Sequence, residues 1–116
     1  MKYLCLVYLD KVNWSACSDG LCAAYGKSLH EKGHLLAAEP LHSIETATTV
    51  RIRNGQLSLT DGPFAETKEM LAGFYLIEAT DLNDAIRIAS GIPPAKYGSI
   101  EVRPVRTLQL DDENSR

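Results

Sequence analysis

The sequence predicts an α+β domain on three observations. Two segments are apolar on both alternating faces, two stretches carry apolar residues at helical spacing, and an Asn-Gly dipeptide sits between alternating apolar runs. A chain of 116 residues suits one domain, taken as residues 1–110, with the polar segment 111–116 expected to be a disordered tail. Apolar residues make up 45% and charged residues 23%, ordinary globular usage. No stretch approaches the roughly 18 apolar residues of a membrane span.

The elements follow in order. Residues 2 to 9 set Tyr3, Cys5 and Val7 on one face and Leu4, Leu6 and Tyr8 on the other, as in a central strand covered on both sides. Trp14, Cys17, Leu21, Tyr25 and Leu29 then recur at helical spacing, with Asn13, Ser15 or Ser18 as the cap and Lys32-Gly33 as the end. A second strand runs from His34 to about Leu41. Asn54-Gly55 predicts a type I′ hairpin that pairs Ile52 with Leu57, Val50 with Leu59 and Arg51 with Ser58.

Thr60-Asp61-Gly62-Pro63-Phe64 reads as a tight turn and Ala65 to Leu71 as a helical turn. Gly73 to Ala79, apolar on both faces, is a second central strand. Asp81 caps a helix with Leu82, Ala85, Ile86 and Ala89 on one side, ended by Gly91 and Pro93-Pro94. Ser99 to Val105 alternates, and Pro104 lacks the N–H of an interior strand, which places this segment at an edge.

With the hairpin set aside as an insertion, the order is strand, helix, strand, strand, helix, strand. That is a ferredoxin-like split βαβ with both helices on one face. The other face carries large apolar groups and nothing in the chain is left to cover it, so a second copy is expected there, forming a homodimer around a shared cleft.

A net charge of −3 without basic clusters argues against nucleic acid, and no signal-like cleavage site follows the first apolar run. Three cysteines leave an odd thiol, which points to a cytoplasmic protein. Cys5 is a core residue. Cys17 and Cys22, if on one helix, diverge by about 140°, so neither a disulfide nor a shared metal is favoured.

Thr48-Thr49-Val50-Arg51, the string from Thr60 to Glu69 containing Asp61-Gly62-Pro63-Phe64-Ala65-Glu66, then Gly73-Phe74-Tyr75 and Glu101-Val102-Arg103-Pro104 stand in an order that resembles the DGPF-type members of the YCII-related proteins. The resemblance runs from Met1 to Val105. It implies a dimeric α/β barrel and a bacterial source, with genes beside extracytoplasmic-function sigma factors. Some relatives are thought to use a His and an Asp as a hydrolytic pair. Their helix His falls here at or near Cys22, which breaks that dyad, and the local sequence supplies no basic neighbour to activate the thiol.

Asp61 is the first candidate for a catalytic carboxylate, with Glu66 and Lys68 close by in sequence; the competing reading makes it a turn cap. Glu101 and Arg103 share a strand face, so Arg103 can hold an anion while Glu101 acts as a base, unless the two form a structural ion pair. Glu39 lies among Leu36, Ala37, Ala38 and Leu41, and Tyr75 offers a phenol or packing. His30, His34 and His42 do not form a convincing metal pattern, so neither metal nor cofactor is expected. Two functions remain: an acid–base enzyme acting on a small polar or anionic substrate near the Asp61 turn, or a non-catalytic ligand-sensing module linked to a sigma factor.

Overall fold

The computed structural model describes residues 1–15 and 17–110. Strand β1 (Lys2–Asp10) leads through a single helical turn, α1 (Lys11–Trp14), to α2 (Asp19–Glu31) and β2 (Leu35–Pro40). A hairpin of β3 (Thr48–Arg53) and β4 (Gln56–Asp61) precedes β5 (Glu69–Glu78), α3 (Leu82–Ser90) and β6 (Ser99–Pro104). Four strands form one antiparallel sheet in the order β2-β5-β1-β6, while β3 and β4 pair only with each other. This mixed α+β architecture is compatible with a ferredoxin-like fold. The sheet is open at β2 and β6 and closes no barrel by itself.

The alternation in β1 fixes which side is which. Tyr3, Cys5, Val7 and Leu9 are buried and join Tyr75, Ile77 and Ala79 of β5 in a core shared with Leu29, Ala85, Ile88, Ala89 and Ile92. Successive residues point to opposite faces, so Leu4, Leu6, Tyr8, Phe74 and Leu76 form the helix-free face, where each is half-buried. Asp81 caps α3 by accepting from the Asp84 N–H at 2.9 Å.

The hairpin has the register expected from Asn54-Gly55: Ile52 faces Leu57, Arg51 faces Ser58 and Val50 faces Leu59. Both turn residues are left-handed, Asn54 at φ 53° and Gly55 at φ 74°, as a type I′ turn requires. β6 occupies an edge, where Pro104 has no interior partner to disappoint.

Two local expectations fail. Residues 65–71 contain no helix; Glu69, Met70 and Leu71 pair with Asp10, Leu9 and Tyr8, because extending β5 along β1 satisfies their backbone groups better than one isolated helical turn. Ala72 is the extra residue of a bulge opposite Val7/Tyr8, and its carbonyl accepts from the Leu41 N–H at 2.8 Å. The first helical stretch is also two helices rather than one. Asp10 accepts from the Asn13 N–H at 2.8 Å and Ser18 from the Leu21 N–H at 3.4 Å, so two caps start two helices and Cys17 falls before the second. The segment 111–116, expected to be a disordered tail, lies outside the described residues.

Candidate functional site

A half-open cavity of about 940 Å³ lies between α2 and the sheet. Its floor is Val7, Leu9 and Tyr75, and its walls come from Trp14 of α1, Leu35 and Ala38 of β2, and one side of α2. Along that side Ala23 and Gly26 are small, which leaves room between helix and strand, and Lys27 and His30 border the space with exposed polar ends. His42 and Ser43 reach it from the segment after β2. Gly73 lets the strands close at this end: a Cβ there would stand 2.8 Å from the Glu39 carbonyl oxygen.

Tyr75 ties the floor to the helix. Its hydroxyl donates to the Cys22 carbonyl oxygen at 3.1 Å, and burial, with Cys22 beside it, raises its pKa above the usual phenol range. Cys17 Sγ and Cys22 Sγ lie 3.8 Å apart at the rim, against the divergence expected had both stood on one helix. Burial and the adjoining Cys22 sulfur push the Cys17 thiol up to about 11. Cys5, sealed in the core, is likewise raised to about 11 by burial alone.

Of the residues singled out from sequence, Tyr75 and Glu39 border this cavity. Glu39 follows Ala38 and pairs in register with Phe74, so its side chain takes the opposite pleat. Glu101 and Arg103 stand on the helix-free face of β6, with Arg103 Nε 3.7 Å from Glu101 Oε2 and both side chains well exposed. Burial, followed by the nearby Glu101 carboxylate, raises the Tyr8 phenol on that face. Ser99 Oγ donates to Glu69 Oε1 at 2.6 Å there as well.

Asp61 ends β4 opposite Thr48, and Lys68 lies in the segment before β5; both are exposed and neither borders the cavity. Among the described residues the Asp61 carboxylate accepts no hydrogen bond. The turn is closed instead by the Gly62 N–H on the Ala47 carbonyl at 2.7 Å and by Thr49 Oγ1 on the Gly62 carbonyl at 2.8 Å, with Gly62 at φ 114°. His34 places Nδ1 3.1 Å from the Glu78 carbonyl oxygen. Among the described residues no group of three His, Cys, Asp or Glu stands close enough to hold a metal, and no helix is long and apolar enough to cross a membrane.

Sequence reading missed Trp14, Lys27, His30 and His42 as wall residues. A signal existed: Ala23 and Gly26 put small side chains on the stripe that faces the sheet, where a filled core needs large ones.

The arrangement defines a small α+β protein with an open antiparallel sheet, a helix-lined groove and an uncovered second face. The sequence model of the YCII-related domain matches residues 1–109, and the chain belongs to that family. It is also 43% identical over 77 residues to an uncharacterised protein of Rhizobium meliloti (strain 1021), an alignment covering 65% of this chain and 62% of that protein. The chain thus matches less than two thirds of that relative's length.

Proposed function

We propose that this chain is a small-molecule-binding homodimer of the DGPF type within the YCII-related family, and that the groove beside α2 is its ligand site. The observation that carries the reading is the cavity itself: about 940 Å³, with an apolar floor and aromatic wall and a few convergent polar groups. Lys27 offers positive charge and His30 a ring nitrogen for hydrogen bonding at the open side, which suits a ligand with an apolar body and an anionic end.

The homodimer is supported by the helix-free face, where Leu4, Leu6, Tyr8, Phe74 and Leu76 have no cover. The hairpin adds a second apolar surface, because Val50, Ile52, Leu57 and Leu59 share one side of it and are each 61% to 65% exposed. Two sheets packed face to face would form the dimeric α/β barrel and bury the first of these surfaces. The Asp61-Gly62-Pro63-Phe64 string supports the DGPF assignment, and the odd cysteine count supports a cytoplasmic location in a bacterium.

A second reading is acid–base catalysis by Asp61 with Glu101, Lys68 and Arg103. It is favoured by the unengaged Asp61 carboxylate, and it needs a partner to complete a cleft that one chain lacks. The non-catalytic version is a ligand sensor working with a sigma factor.

A metabolite screen by thermal shift tests the main reading. The expected result is a saturable rise in Tm for carboxylate or phosphate compounds with an apolar body, reduced at least about ten-fold in affinity by Lys27→Ala. If hits stabilise Lys27→Ala, His30→Ala and the parent chain equally, the groove is not the site. Loss of a hit compound over time, abolished by Asp61→Ala, would select the catalytic reading.

A further inference from the structure

We propose that Cys17 and Cys22 form a reversible dithiol–disulfide site at the rim of the groove, oxidised by small disulfides, with Cys22 attacking and Cys17 resolving. This rests on the sulfurs and not on the ligand reading above. Their 3.8 Å separation needs to close to about 2.05 Å for a bond. The two backbones differ in a way that allows this. Cys22 is held in the first turns of α2, its N–H on the Ser18 carbonyl at 3.3 Å and its own carbonyl accepting from Tyr75, whereas Cys17 precedes the helix and is free of its frame. Both thiols are half-buried and border the open cavity, so a small reagent can reach them. Cys5 is fully buried and serves as an internal control.

The chemistry balances without any other group. The Cys22 thiolate attacks one sulfur of a disulfide RSSR, the S–S bond breaks, and RS⁻ leaves and takes up a proton. Cys17 then attacks the Cys22 sulfur of the mixed disulfide, loses its proton to water and expels the second RSH. Two cysteine thiols are oxidised to one disulfide while RSSR is reduced to two RSH. Cys22 is fixed in α2 while Cys17 stands before it, so Cys17 is the sulfur that swings to close the bond on a mixed disulfide carried by Cys22. A resolving thiol of high basicity is a strong nucleophile once deprotonated, so closure accelerates as pH rises.

The test incubates the full reduced chain with hydroxyethyl disulfide and follows intact mass and peptide maps. The expected product has lost two hydrogens, with Cys17 linked to Cys22 and Cys5 still free for alkylation after unfolding. Cys17→Ser should stop at the mixed disulfide on Cys22. Cys22→Ser should react at least about ten-fold more slowly than the parent. Persistence of the adduct in the parent chain, modification of Cys5 first, or undiminished reactivity in Cys22→Ser would each overturn the proposal. The parent-chain map decides the matter even if a serine variant folds poorly.

Discussion

Tyr25 Oη donates to the Ile88 carbonyl oxygen at 2.6 Å, joining α2 to α3 over the buried face of the sheet. The Ile88 carbonyl also accepts from the Gly91 N–H at 3.1 Å, so it is not orphaned when Tyr25 lets go. Tyr25→Phe should therefore cost about 1 kcal/mol. Gly91→Ala should cost more, about 1–3 kcal/mol, because its Cβ would overlap the Tyr25 hydroxyl and ring edge. The displaced ring has already lost its bond, so the double variant should fall short of the sum in urea denaturation.

Gly98 stands against backbone. A Cβ there would overlap the Tyr8 carbonyl oxygen and lie 3.0 Å from Leu9 Cδ2, and neither backbone atoms nor a buried side chain can yield cheaply. Gly98→Ala is expected to cost about 3 kcal/mol or more. Gly20→Ala makes the contrast: near the start of α2 its Cβ meets only Ser18 Oγ at 3.4 Å, and it should stabilise by about 0.5 kcal/mol. Equal denaturation midpoints for the two variants would contradict this.

Gly55→Ala places a side chain at φ 74°, a left-handed position that costs an L-residue about 1–2 kcal/mol. β3 and β4 pair only with each other, so the loss should stay local. Amide exchange is expected to quicken for residues of the hairpin while β1 amides keep their protection.

Asp84 ties the entry to α3. The Thr80 N–H donates to Asp84 Oδ2 at 2.9 Å and Arg87 donates to Oδ1 at 2.6 Å, and these bonds, that of Thr80 foremost, lower the carboxyl pKa below its ordinary value. A folded pKa below the unfolded one stabilises above the unfolded value, and that contribution disappears as pH falls through the folded one. Stability measured by urea midpoint should thus decline on acidification through this range, and Asp84→Asn should decline less.

Leu6 sits between Phe74 and Glu101 in the register of the helix-free face. If two copies meet there, Leu6→Glu buries a carboxylate in the contact, and light scattering should find half the parent mass with far-UV circular dichroism unchanged. A parent chain that already scatters as one copy would remove the homodimer from the functional reading.

Much of the fold was legible because local chemistry and tertiary pairing agree. Asn54-Gly55 accepts one turn type, and that turn permits one register, so Val50 was bound to meet Leu59. Asp81 and Gly91 bracketed α3 for similar reasons. The site was harder. Cys17 and Cys22 looked divergent because the apolar spacing continued through Ser18; the competing cap at that residue, which restarts the helix, carries no weight in a periodicity argument. Asp61 looked equally able to cap its turn, but the Gly62 N–H and Thr49 hydroxyl close it instead.

Alternation and capping residues alone determined that β1 and β5 are central, that β6 is an edge and that one sheet face lacks helices, because these depend on neighbours a few positions apart. Only the tertiary structure decided that residues 69–71 extend a strand, that Ala23 and Gly26 leave a hollow beside Tyr75, and that two sulfurs meet at its rim. Those outcomes depend on which distant surfaces compete for the same backbone and the same space, and spacing along a chain does not record that competition.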